Sequence, residues 1–141
     1  MTSPHDALFR STFGQLTHAQ PLLRGLLPAA LVAAADWRTL QVIDGTFVAP
    51  DLRDQQSDLL YRLRVRGKAC FIYVLLEHQS TAPRMMALRM LGYLVQIWNK
   101  HCAQHPHAQM LPFVFPLIVH HSAHGWSAPR SLGELIELDA E

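Results

Sequence analysis

Three side chains in the stretch 57–80, SDLLYRLRVRGKACFIYVLLEHQS, have the types and spacing to do chemistry. Asp58 opens one run of β-forming residues, and Glu77 and Gln79 close the next. Residues two apart in a strand share a face, so Glu77 and Gln79 project together while His78 turns away. A short basic turn, Arg66-Gly67-Lys68, separates the two runs. If they pair as a hairpin, the start of the first lies beside the end of the second, and Asp58 comes close to Glu77. Two carboxylates suit a hard divalent cation such as Mg²⁺, which keeps several waters in its octahedral shell. Gln79 can orient a water but supplies neither a base nor a positive charge. A plainer reading stands beside this one: Asp58 caps a turn, and Glu77 and Gln79 are polar strand ends.

The elements that must position these residues follow from periodicity. His5-Asp6 begins a short helix, capped by Ser3 or Asp6, with Ala7, Leu8, Phe9 and Phe13 at roughly helical spacing. Residues 18–26 form a second helix with Leu22, Leu23, Leu26 and Leu27 on its buried side, and the Ala-rich stretch 28–35 a third. Residues 40–43 are a short strand, Asp44-Gly45 a turn, Phe47-Val48 extended chain and 50–56 a polar loop. From Tyr61 to Val65 apolar and polar residues alternate, as in a half-exposed strand. Residues 69–76 are almost wholly apolar, which suits a central strand covered on both faces. A broad apolar face predicts a helix over 84–105, about 22 residues and roughly 33 Å long, stopped by Pro106. Residues 111–121 are a further strand, and Pro112 and Pro116 favour an edge position or a bulge. Ser131 caps a last partial helix, with Glu134 at the capping-box position. The order is α/β, with a crossover helix joining two strands of one sheet.

Composition excludes several classes. The chain has 141 residues, enough for one domain with a real core. Half of them are hydrophobic and 16% are charged, which favours a packed globule. A formal net charge of +1 commits bulk electrostatics to no partner, so nucleic-acid binding needs a local basic patch. Arg62, Arg64 and Arg66 share one strand face, which gives either such a patch or a solvated surface. Arg89 and Tyr93 share a face of the long helix, as a phosphate contact or as an Arg stacked on a Tyr. Two cysteines, Cys70 and Cys102, make no disulfide framework and are expected reduced. The N-terminus has no signal-peptide pattern, and Arg89, Gly92 and Gln96 interrupt the longest apolar stretch, so no membrane span is expected and the cytoplasm is the default compartment. Neither a Walker A loop nor GxGxxG occurs, so no nucleotide cofactor is implied. His120 and His121 would fall on opposite strand faces, which disfavours a zinc site with His124. Ser57 and Ser80 have no convincing His/Asp partners in the sequence, which argues against serine hydrolase chemistry.

An acid at the head of one strand and Glu-x-Gln at the end of the next resembles the PD-(D/E)xK nuclease superfamily. More narrowly, His5-Asp6-Ala7-Leu8-Phe9, Ser57-Asp58-Leu59-Leu60-Tyr61, Leu75-Leu76-Glu77-His78-Gln79-Ser80, and Arg89 with Tyr93 resemble the Rpn family of recombination-promoting nucleases, the YhgA-like transposases. The resemblance covers nearly the whole chain. It implies a restriction-endonuclease-like α/β core with a mixed central sheet flanked by helices. It also implies a single nuclease-like domain, 1–141, that forms the N-terminal part of a longer protein. Asp58, Glu77 and the His78 backbone carbonyl would bind Mg²⁺, or another divalent ion such as Mn²⁺ or Ca²⁺. Gln79 stands where the superfamily carries Lys, which leaves proton removal to the metal, the phosphate or bulk water. Asp6 would be a further carboxylate for the ion or a plain helix cap.

These readings converge on a metal-dependent DNA endonuclease tied to recombination or mobile elements, with Asp58, Glu77 and Gln79 catalytic. Arg62, Arg64, Arg89 and Tyr93 would hold DNA. The competing class is a non-catalytic DNA-binding or oligomerisation module that keeps a degenerate nuclease fold. A homodimer through the long helix is compatible with both.

Overall fold

The computed structural model describes residues 4–79 and 82–137. Expectations that fall on Ser3, Ser80 and residues 138–141 lie outside that range. The chain runs α1 (Pro4–Phe13), α2 (Leu16–Leu26), α3 (Ala29–Ala34), β1 (Ala35–Ile43), β2 (Gln56–Val65), β3 (Lys68–Glu77), α4 (Met86–Gln104) and β4 (Phe113–His120). Short 3₁₀ turns occupy Pro50–Leu52 and Leu132–Leu135. The four strands form one mixed sheet in the order β1-β2-β3-β4. β1, β2 and β3 pair antiparallel, while β4 lies parallel to β3 and is reached through α4. This is the expected α/β architecture with its crossover helix.

The β2–β3 hairpin is the spine of the sheet. Val65 pairs with Lys68, so only Arg66 and Gly67 form the loop and Lys68 belongs to β3. Both loop residues have positive φ, 52° and 77°. That is the two-residue geometry whose twist matches the flanking strands, and Gly67 adopts it without the steric cost of a Cβ.

Alternation along the hairpin divides its side chains between two cores. On one face Leu59, Tyr61, Leu63, Cys70, Ile72 and Val74 meet Phe9, Ala19, Leu23 and Leu27. On the other, Leu60, Tyr73 and Leu75 meet Met86, Met90, Tyr93 and Ile97 of α4. β3 is thus covered on both sides, as its continuous apolar sequence requires. β4 is an edge strand, where Pro116 can lack an amide without breaking the ladder. The Tyr61 hydroxyl donates to the Phe13 carbonyl at 2.6 Å, and the Trp98 indole donates to the Pro112 carbonyl at 2.9 Å. These bonds tie α1 and the start of β4 to the body.

Three local expectations change. β1 reaches back to Ala35, well before residue 40, and an irregularity between Asp36 and Gln41 interrupts its pairing with β2. Phe47 and Val48 are not in a strand, because their amides serve a side chain instead. Gln56 is the first residue of β2 and is fully buried. Among the described residues, no helix is long and apolar enough to cross a membrane.

The two cysteines differ sharply. Cys70 is buried in β3, and burial raises its thiol pKa, while Cys102 is exposed on α4. The thiolate is the reactive form. Native protein should therefore react with a thiol reagent quickly at one site, and the second should appear only on denaturation. Mass spectrometry of the labelled protein would locate the fast site at Cys102.

Candidate functional site

β1 pairing stops at Ile43 opposite Leu60, so the first residues of β2 project beyond it. The chain after Ile43 folds over this bare edge and donates to Asp58. The Phe47 and Val48 amides reach Asp58 Oδ2 at 2.7 and 3.2 Å, and the Thr46 hydroxyl reaches Oδ1 at 2.6 Å. Tyr73, from β3, donates its hydroxyl to Oδ2 at 2.7 Å. Arg10 arrives from α1, with Nη2 at 2.9 Å from Oδ1, while its Nε holds Asp6 at 3.2 Å. Asp58 is 1% exposed, and these five donors exceed the four lone-pair sites of a carboxylate. Burial, and then the Asp58 charge, drives the Tyr73 phenol far above its ordinary pKa, so it stays a neutral donor.

Glu77 forms a second cluster next to the first. Its strand partner is Gln56, and Asp58 pairs with Leu75. Asp58 and Glu77 therefore share the α4 face of the sheet as diagonal neighbours, about 7–8 Å apart by strand geometry. The Gln56 amide donates to Glu77 Oε2 at 3.0 Å and accepts from the Tyr93 hydroxyl at 3.0 Å. The backbone amide of Gln79 donates to Glu77 Oε1 at 3.0 Å. Burial raises the Tyr93 phenol pKa, partly offset by the positive charge of Arg89. Tyr73 and Tyr93 rings lie 5.8 Å apart and join the two clusters.

Each expected site residue can be placed. Asp58 and Glu77 come together on one face, one register step apart rather than opposite. β3 ends at Glu77, so strand alternation does not extend to Gln79. Gln79 is exposed beside the cluster, and its carbonyl accepts from His120 Nε2 at 3.0 Å. The His78 amide donates to the Gln55 carbonyl at 2.8 Å. Its ring lies on the opposite face, with Nε2 2.7 Å from Ser57 Oγ and 5.1 Å from the His5 ring by centroids. Ser57 thus has a His partner that its sequence neighbours did not reveal, yet at 1% exposure its hydroxyl faces the core rather than a substrate. Burial, followed by the His5 charge, lowers the His78 pKa and favours its neutral ring.

Tyr93 is in the buried network, and Arg89 lies one helical turn before it. Arg89 Nη1 is buried without a hydrogen-bond partner among the described residues. Asp6 lies inside α1, paired with Arg10, rather than at its cap. Arg62 and Arg64 stand exposed on β2, on the α4 side but farther along the strand than Asp58. Sequence reasoning missed Gln56, Tyr73, Thr46 and Arg10. Gln56 and Tyr73 had a signal: they continue the period-2 series of Asp58 and Glu77. Arg10 had the i,i+4 relation to Asp6.

Gln56 depends on Tyr93 for satisfaction of its carbonyl. Tyr93→Phe leaves that buried oxygen without a donor and should cost about 1–3 kcal/mol, read from the midpoint of urea unfolding.

In type, the residues suit a hard divalent cation: two carboxylates on rigid neighbouring strands, the number Mg²⁺ commonly takes from protein. A cage of three is not present, since among the described residues no three His, Cys, Asp or Glu side chains converge. Arg10 supplies the positive charge that faces Asp58 in this arrangement.

A four-stranded mixed sheet with a buried acid–amide–tyrosine cluster at the ends of its central strands defines an α/β domain with one polar centre. The family described as "Putative transposase, YhgA-like" matches residues 3–141, and the chain belongs to that family. Recombination-promoting nuclease RpnA of Escherichia coli K12 is 35% identical over 120 residues, 85% of this chain and 40% of that protein. RpnD of E. coli O157:H7, also named a recombination-promoting nuclease, is 33% identical over 129 residues, covering 89% and 49%. A K12 protein named inactive recombination-promoting nuclease-like protein RpnE is 31% identical over 138 residues, covering 98% and 45%. The chain thus spans between two-fifths and half of the length of these relatives. No solved structure matches it.

Proposed function

We propose that this chain is a metal-dependent DNA endonuclease domain of the PD-(D/E)xK type, acting in recombination or on mobile elements inside the cell. The observation that carries the reading is the pair Asp58 and Glu77, buried on one face of adjacent central strands, in a chain that belongs to a family with members named nucleases. Asp58, Glu77 and the His78 carbonyl are the oxygens that would hold Mg²⁺, Mn²⁺ or Ca²⁺. Such an ion, when bound, lowers the pKa of a coordinated water and neutralises charge on the scissile phosphate.

The protein's own groups do the rest. Gln56 and the Gln79 amide hold the Glu77 carboxylate in one orientation. Tyr73 and the Phe47 and Val48 amides hold Asp58 Oδ2, so any ligand must be taken at Oδ1, where Arg10 and Thr46 would give way. The exposed Gln79 side chain orients the attacking water by hydrogen bonding. Arg89 has an unclaimed buried N–H to offer a phosphate oxygen. Leu88, Leu91 and Val95 form an exposed apolar stripe on α4, the surface on which a second copy would pack.

A second reading has its own support. Asp58 is fully occupied by donors of this chain, and one relative covering nearly all of it is named inactive. The domain would then bind DNA without cutting it. Nicking of supercoiled plasmid in Mg²⁺, Mn²⁺, Ca²⁺ or EDTA separates the two. Cutting that needs a divalent ion is the expected result; DNA binding without cutting under every condition would give the second reading the lead.

A further inference from the structure

We propose that a cavity at the C-terminal end of α4 is a nucleotide subsite, which takes one phosphate and its base from a single-stranded stretch of nucleic acid near the Asp58–Glu77 centre. This assignment rests on the nuclease reading of the domain and names how the substrate strand is held. The cavity has a volume of about 400 Å³ and lies between α4 and the β1–β3 sheet face. That is the lower range for small-ligand sites, with room for one nucleotide unit but not for stacked base pairs.

Its lining combines the two chemistries a nucleotide needs. Arg62 and Lys100 stand at the rim with His101 and His105, and Asp44 is the one acid there. Neither Arg62 nor Lys100 forms an ion pair among the described residues, and against the single charge of Asp44 they leave the lining net positive. The α4 carbonyl end carries partial negative charge, so anion affinity must come from these side chains. Phe47 and Phe71 present ring surface: Lys100 Nζ sits 6.0 Å from the Phe47 ring centre, and His101 meets Phe71 edge-on. His101 and His105 stack at 4.4 Å. Aromatic faces accept any base, while cations track the backbone, the combination by which proteins hold single strands without sequence readout. Burial, and after it His105 and Arg62, lowers the His101 pKa and favours its neutral ring.

Position links this cavity to the acid pair. Phe47 lines it, and the Phe47 amide bonds Asp58. Arg62 lies four residues along β2 from Asp58 on the same face, roughly 13 Å away at 3.3 Å per residue. One strand of nucleic acid could span both.

The test is fluorescence anisotropy of a labelled twelve-residue oligothymidylate in EDTA, which removes cleavage from the measurement. Arg62→Ala/Lys100→Ala should bind at least about tenfold more weakly, with the salt slope reduced by about 0.7 for the one phosphate the subsite holds. The charge-matched pair Arg24→Ala/Arg38→Ala, outside the cavity, should bind as wild type. In NMR spectra of ring-labelled histidine, thymidine 5′-monophosphate should shift His101 and His105, with thymidine and inorganic phosphate each doing less. Circular dichroism confirms that each variant is folded. Wild-type binding with unchanged affinity and slope in Arg62→Ala/Lys100→Ala would overturn the subsite and leave the nuclease reading standing. An equal loss in the control pair would overturn it as well. Failure of wild-type protein to bind the oligothymidylate would overturn the subsite, while the nuclease reading stands or falls on plasmid nicking in Mg²⁺.

Discussion

Asp58→Ala is expected to destabilise the domain by about 2–6 kcal/mol, at about 1–3 kcal/mol for each of two buried donors left without an acceptor. Arg10 would keep Asp6 as an ion partner. The buried Val48 amide and the Tyr73 hydroxyl would lose their acceptor, and the loop after β1 would lose the group that closes it. Domains of this size are commonly stable by about 5–15 kcal/mol, so the variant would be marginal. Thermal and urea unfolding should both show the loss. Asp58→Ala is consequently a poor probe of catalysis, because a fall in cleavage could report loss of fold.

Glu77→Gln isolates the chemistry better. The Glu77 carboxylate accepts from two amides, and its partner Gln56 can exchange the ends of its own amide. Gln56 Oε1 would then accept from the new amide, and Tyr93 would accept from Gln56 Nε2. The net stability change should be small, about 1 kcal/mol, because hydrogen bonds are rearranged rather than left empty. Loss of negative charge at the centre has a different consequence. A neutral amide is a far weaker ligand for a hard cation, so metal-dependent cleavage should fall at least about 100-fold. Initial nicking rates beside a urea melt of the same preparation would check both halves of this expectation.

The elements with sustained patterns were legible from residue order. The apolar run of β3, the alternation of β2 and the broad face of α4 each required one geometry, and Pro116 foretold the edge position of β4. The irregular β1 had no such pattern, since an Ala-rich helix runs directly into it and its ladder with β2 is interrupted. Phe47 and Val48 have strand-forming side chains, but their structure is decided by Asp58, ten and eleven residues away. No local pattern shows where a backbone amide will find a side-chain acceptor. The candidate site was legible in part for the same reason. Asp58 and Glu77 stood out through spacing and resemblance, but the register that pairs Glu77 with Gln56 and Asp58 with Leu75 was not legible from residue order. Arg10 reaches Asp58 across 48 positions of sequence, a contact created only by packing α1 on the sheet.

Plasmid nicking by wild type and Glu77→Gln, each with Mg²⁺ and with EDTA, tests the acid pair most directly once equal unfolding midpoints are shown for the two. The expected result is cutting by the wild type in Mg²⁺ alone, reduced at least about 100-fold in the variant. Equal cutting by two equally folded proteins would contradict a catalytic role for Glu77 and place the chemistry elsewhere.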